Sequence, residues 1–426
     1  DYLALYASQG LLWDMTDAWE QSATKNSGRL TDMADAVMAG NVLAGPDGTK
    51  ALYGFSPTRG NGCCTYVKAS ALKAAGLDPD KVANETMTYD QYYDMLKKIQ
   101  AASSNKNYVI STSGFVAGGN KPEAPYTNYL PEFYQDAQFT FYLKDGKYVD
   151  GFSEEAMKKA MDRLKTAIDD KILDPATQNA STKEARNKFT NKDANLASSV
   201  FTYWAGKTLT KLLPDTTDSL VAIKPIKEVG KYVERLAPAW AITYKAYEDG
   251  KAEGIFKYFI DTMLDGGDIQ VAWEYGAKGT HWDDKAETYT VAGKDGKEGK
   301  TYTAAEGEFH NLPSPETPST LTTKNHIDPD LAIAGFGDKE DPGHKAQDPI
   351  ITECYKMFNA NCKMVEALPT TEVLSNNITD INTKRVEVLS QVVLGTKSYD
   401  EAMADYNSQV GAKVTAVIES LNETIK

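Results

Sequence analysis

Short apolar, β-branched runs alternate with amphipathic helical stretches from Ala51 to Met263, and this alternation restricts the fold more than any other feature. Strands connected through helices pack as a sheet with helices on its faces, an α/β architecture. The run ALYGF at 51–55 reads as a strand, the Pro, Gly and Asn of SPTRGNG as a loop, and TYVKASALKAAGLDP at 65–79 as strand then helix. Thr88 is placed to N-cap a helix whose stripe is Tyr92, Met95, Leu96 and Ile99. The runs 108–113, 195–203, 221–225 and 239–244 read as further strands, 153–171 as a helix after the hairpin-like KDGKYVDG, and 252–263 as a helix with Ile255, Phe256, Phe259 and Ile260 on one face. From Gly276 to Asp348 the chain turns polar, with a small hairpin expected around 294–300. Helical spacing then returns from Ile350 to Lys426, divided at Pro369 and Gly395.

A chain of 426 residues is too long for one ordinary core, so two lobes are expected. No run approaches the roughly 18 apolar residues of a membrane span. The formal net charge of −14 opposes binding to a phosphate backbone, which argues against nucleic acid as a partner. Four cysteines, Cys63, Cys64, Cys354 and Cys362, make no disulfide scaffold and read as free thiols. The four histidines, at 281, 310, 326 and 344, show no metal-binding helical spacing, and neither a nucleophile elbow nor a phosphate loop occurs, so the chain reads as a non-enzyme. Asp328, Asp330, Asp338, Glu340, Asp341 and Asp348 crowd one stretch whose oxygens would suit Ca²⁺. Without EF-hand spacing, the stretch reads as a solvated acidic loop, and no cofactor is expected.

Several segments in order resemble the family 1 extracellular solute-binding proteins, the substrate-binding lipoproteins of Gram-positive bacterial ABC importers for sugars and oligosaccharides. They are Gly10-Leu11-Leu12-Trp13-Asp14-Met15-Thr16-Asp17, Tyr66-Val67-Lys68-Ala69-Ser70 running to Gly76-Leu77, Asp145 to Gly151 (DGKYVDG), Ile172-Leu173-Asp174-Pro175, and Tyr275-Gly276-Ala277-Lys278-Gly279-Thr280-His281-Trp282. The resemblance implies a two-lobed, type II periplasmic-binding-protein-like fold in which each lobe is a mixed sheet flanked by helices, with a helical C-terminal region. It places residues 1–120 and 231–320 in the N-terminal lobe and 121–230 and 321–426 in the C-terminal lobe. It also implies a monomer that closes on an oligosaccharide and delivers it to the permease subunits in the membrane, anchored outside the cell by an N-terminal lipid. Family members carry further residues ahead of the position of Asp1, including the lipid-attached Cys and first strands, so a chain lacking its N-terminal region is expected. A secreted polysaccharide-degrading enzyme, and the same fold holding a peptide or other solute, are the alternatives.

A sugar ring offers apolar C–H faces and a belt of hydroxyls, so its site needs flat aromatic platforms and a few placed polar groups. Trp204 at a strand-to-helix corner and Trp240 at the start of a strand are the leading platforms, with Trp273, Tyr275 and Trp282 around the glycine-rich signature. Trp13 and Trp19 belong to an amphipathic segment and read as core. Arg59 and Asn61, in the loop 56–61, are placed to meet hydroxyls or a carboxylate, and Phe115 lies in a Gly-rich loop of the same kind.

Overall fold

The computed structural model describes residues 2–60, 62–103, 108–114, 129–191, 196–203, 209–210, 213, 215, 217–293, 296, 298–322, 326–337, 349–366 and 368–425. The chain divides into two compact units. The first is Asp1–Gly60 with Leu236–Pro349, and the second is Asn61–Arg235 with Ile350–Lys426.

The second unit is built on β1 (Cys63–Lys68), buried along both faces except at its last residue, as expected of a central strand of β-branched and aromatic residues. It pairs antiparallel with β2 (Ser198–Thr202) on one side and β3 (Leu220–Ala222) on the other. A parallel pair, β4 (Tyr232–Glu234) with β5 (Cys362–Met364), and parallel bridges from Ile110 to Leu173 and Ser198 make the strand pairing mixed. Helices cover this framework: α1 (Tyr89–Ala102), α2 (Glu155–Asp169), α3 (Glu372–Val393) and α4 (Tyr399–Asn422). Thr88 and Gln91 form the capping box of α1, and Met157, Ala160, Met161, Leu164 and Ala167 form the buried stripe of α2. The hairpin Phe141–Lys144 with Lys147–Asp150 turns through Asp145 and Gly146, both at positive φ, the geometry that makes Asp-Gly a hairpin signal. Gly395, left-handed just past α3, returns the chain into α4.

One buried ion pair ties hairpin to helices. Arg385 of α3, fully buried, donates to Asp150 Oδ1 at 2.8 Å and to the hydroxyl of Tyr406 on α4 at 3.2 Å, and that hydroxyl donates to Asp150 Oδ2 at 3.1 Å. The rings of Phe139, Phe141 and Phe152 surround the guanidinium at 4.6–5.9 Å.

The first unit is assembled from short pieces around Met15, Trp19, Phe55, Ile242, Phe256, Met263 and Ile333. Antiparallel bridges join Leu12 to Thr243, Phe55 to Trp240, Thr58 to Ala332 and Leu30 to Ala334, so segments far apart in sequence share one core. The guanidinium of Arg29 donates to the carbonyl oxygens of Leu264 and Gly335, pinning two of these segments. The polar stretch carries the expected hairpin, with Glu287–Val291 paired to Lys300–Ala304, and adds a second strand pair, Trp282–Asp283 with His310–Asn311.

Of the three expected crossings between units, the middle one falls close to its expected place, after Arg235 rather than residue 230, and the other two lie elsewhere. The first crossing follows Gly60 rather than residue 120, because β1 takes its hydrogen bonds from β2 and β3 and belongs with them. The last follows Pro349 rather than residue 320, because Ala332 and Ala334 bridge to Thr58 and Leu30. Among the described residues, no helix is long and apolar enough to cross a membrane.

Removing one partner of a buried ion pair strands the other in a low-dielectric interior. Asp150→Ala is expected to lower stability by about 3–5 kcal/mol in urea unfolding, and the joint replacement Asp150→Leu with Arg385→Met to recover most of that loss.

Candidate functional site

Three aromatic rings of the first unit converge on its surface. Trp240 meets Phe259 edge-on at 5.4 Å and Trp273 at 6.2 Å, and Phe259 meets Trp273 at 5.9 Å, all at interplanar angles of 72–81°. Trp240 is 42% exposed and Phe259 43%, whereas Trp273 is half-buried against the core. The exposed His326 closes the far side of Trp273 at 5.8 Å, held there by its own N–H bonded to the Trp273 carbonyl.

Each ring is positioned by a separate local device. Trp240 and Phe55 exchange both backbone hydrogen bonds at 2.8 Å, which fixes the Trp240 backbone against the core. The run expected to be one amphipathic helix begins as an α-helix at Ala252–Ile255, widens into a π-helix at Phe256–Ile260 and tightens into a 3₁₀ turn at Asp261–Leu264. The extra residue per turn shifts the stripe, so Phe256 and Ile260 stay inside while Ile255 and Phe259 turn outward. Trp273 rides on the helix Asp268–Tyr275, whose start is tied down by Asp265, its Oδ1 accepting from the N–H groups of Gly267 and Gln270 at 2.9 Å.

Beside Trp273, Glu274 is buried and accepts from the Gln270 side-chain amide at 2.8 Å. Burial pushes its carboxyl up to about 8, the negative charges of Asp328 and Asp330 add to the rise, and the Gln270 hydrogen bond opposes it. At neutral pH Glu274 is therefore mostly uncharged. The three rings offer dispersion and C–H contact over a flat apolar surface, the chemistry that suits a sugar face, but they carry no nucleophile.

The structure thus brings together two of the residues singled out in the sequence, Trp240 and Trp273, and adds Phe259 and His326, for which the sequence held no signal beyond a helical stripe. Two others are corrected. Tyr275 packs at 4.9 Å on Phe309, and Trp282 stacks on the same ring at 5.2 Å while its indole N–H donates to the Gly276 carbonyl. Both rings are buried in this satellite core, so neither is a platform. The glycine-rich signature around them is structural: Gly276 sits at positive φ, and a Cβ there would lie 2.6 Å from the His281 ring. Arg59 is also corrected. It is only 1% exposed, and its N–H bonds to the Leu331 carbonyl in the bridged segment around Thr58 rather than in an open loop. Trp204, Asn61 and Phe115 lie outside the described residues. Among the described residues, no group of three or more His, Cys, Asp or Glu side chains could hold a metal ion.

No family model matches the sequence, and no curated protein matches it. Solved structures do match. The alginate-binding protein AlgQ2 is similar over 100% of this chain and 83% of its own, at 15% identity and a TM-score of 0.59. The N-glycan transport solute-binding protein NgtS of Streptococcus pneumoniae is similar over 99% of this chain and 84% of its own, at 14% identity and a TM-score of 0.57. A family 1 extracellular solute-binding protein of Alicyclobacillus acidocaldarius is similar over 97% of this chain and 82% of its own, at 11% identity and a TM-score of 0.53. These likenesses establish the fold, that of the two-lobed extracellular solute-binding proteins.

The raised carboxyl of Glu274 makes stability depend on pH. In the unfolded chain it ionises at its ordinary value of about 4.3, while in the folded chain it stays protonated to about 8. Its contribution is therefore complete at acid pH and is lost as pH rises across that window. Relative to Glu274→Gln, the parent is expected to lose on the order of 1–4 kcal/mol between pH 4.5 and pH 8 in urea unfolding. Glu132 of the second unit, pushed up to about 7 by burial, slopes the same way in both proteins, so the comparison isolates Glu274.

Proposed function

We propose that this protein is the extracytoplasmic substrate-binding protein of a bacterial ABC importer, which captures an oligosaccharide and delivers it unchanged to permease subunits in the membrane. On this reading it works as a monomer, held outside the cell by a lipid anchor, and catalyses nothing. The observation that carries the reading is the half-exposed cluster of Trp240, Phe259 and Trp273 in a chain with the fold of solute-binding proteins, two of which are named for alginate and for N-glycans.

Ring-on-sugar packing supplies affinity without charge, because the apolar C–H face of a pyranose replaces water on an indole that is already held rigid. The net charge of −14 disfavours a polyanionic glycan at long range.

Calorimetric titration against neutral N-glycan fragments, malto-oligosaccharides and alginate oligosaccharides is expected to find a neutral oligosaccharide as the tightest ligand. Trp240→Ala should weaken it about 10- to 100-fold, the scale of a buried aromatic anchor. Undiminished binding by both Trp240→Ala and Phe259→Ala would overturn the site. Conversion of the bound glycan to shorter products over hours would overturn the non-enzymatic reading.

A further inference from the structure

Strand β1 presents Cys64 and Tyr66 to one face of the sheet, in line with Gly62 just ahead of it, which bridges to Glu234, since side chains alternate along extended chain, while Cys63 and Val67 enter the core on the other. The helix Pro349–Ala360 lies across the first of these faces. Phe358 stacks on Tyr203 at 4.4 Å and on Tyr232 at 6.0 Å, and it stands directly over Gly62, where a Cβ would fall 1.9 Å from its ring. Cys354 is one helical turn before Phe358, a step of about 6 Å along the axis, and Cys64 is two residues after Gly62, a step of about 6.6 Å along the strand. The two steps are of similar length, and each thiol acts electrostatically on the other's surroundings, Cys354 on Cys64 and both on Tyr66, which makes the two cysteines neighbours across this packing. Both thiols lie close enough to the Tyr66 hydroxyl to raise its pKa, and that hydroxyl donates its own proton to the Tyr203 carbonyl at 2.8 Å. Both cysteines are free and buried.

We propose that Cys64 and Cys354 form a redox site, an intramolecular disulfide made by exchange with a small-molecule disulfide, which staples the helix Pro349–Ala360 to the central strand. The remaining cysteines are engaged elsewhere: Cys63 faces the core, and Cys362 donates to Glu234 at 3.8 Å and to the Asn359 carbonyl at 3.7 Å.

Cys354, at the less deeply buried end of the pair, attacks first as its thiolate. Its sulfur bonds to one sulfur of the small disulfide and the other leaves as a thiolate, which takes up the proton that Cys354 lost. The Cys64 thiolate then attacks the Cys354 sulfur of the mixed disulfide, and the second small thiolate leaves with the Cys64 proton. Two protein thiols are oxidised and one small disulfide is reduced to two thiols. Burial raises both thiols above the usual cysteine range, so exchange in the folded protein is slow and follows lifting of the helix.

The test is incubation of the full chain with oxidised glutathione, followed by thiol counting in denaturant and peptide mass mapping. The expected result is a fall from four thiols to two, a Cys64–Cys354 cross-linked peptide, and a melting temperature several degrees above that of the reduced protein, reversed by dithiothreitol. Cys64→Ser and Cys354→Ser should each abolish the cross-linked peptide. Persistence of all four thiols while the denatured chain is oxidised would overturn the proposal, as would a bridge joining Cys63 to Cys64 or Cys354 to Cys362. The wild-type experiment decides the matter even where a variant fails to fold, and none of these outcomes depends on whether the protein binds a glycan.

Discussion

The contact between Asp150, Arg385 and Tyr406 is the constraint on which the helical layer of the second unit rests. A guanidinium removed from water is tolerable only where its charge and its donors are met, and here a carboxylate, a phenol and the Asn382 side chain meet them inside a cage of three phenylalanines. The same carboxylate accepts from the Phe152 N–H at 3.1 Å and the Ser153 hydroxyl at 2.6 Å, so the pair also sets the turn that launches α2. Hairpin, α2, α3 and α4 are thereby held in one arrangement, and the shared core from Leu164 to Val388 and Val417 closes around it.

The aromatic cluster of the first unit has a different dependence. Its rings come from an edge-bridged strand, a π-helical turn and a short helix, and none of the three would hold its ring in place alone. Trp240 relies on Phe55, Phe259 on the widened turn at 256–260, and Trp273 on the polar contacts of Asp265 and on the His326 segment that folds back over it. A platform made from three elements of one core is pre-organised, which suits the capture of a ligand that contributes mainly surface contact.

Legibility followed the range of the interaction. The cap at Thr88, the stripe of α1 and the Asp145-Gly146 turn are readable because each follows from residues a few positions apart. Tyr275 and Trp282 were misread as platforms because an aromatic beside a flexible glycine looks the same whether it faces solvent or a core. Only the distant Phe309 and Phe336 decide it. Arg59 was misread as part of an open loop for the same reason, since Leu331 and Ala332 lie far along the chain. The amphipathic pattern at 252–263 concealed a π turn, because the inserted residue changes which side chains are buried without changing their order.

The sequence by itself determined the α/β class, the presence of two compact units, the helical C-terminal region and a surplus of aromatic candidates, all of which depend on period, length and local capping. Tertiary structure decided where the chain crosses between units, which tryptophans became core and which remained at the surface, and that the helix carrying Cys354 packs by Phe358 against Gly62, next to the strand of Cys64. These are outcomes of long-range strand pairing and helix packing. Their free energies arise only when segments hundreds of residues apart in sequence are brought together, so no window of sequence records them.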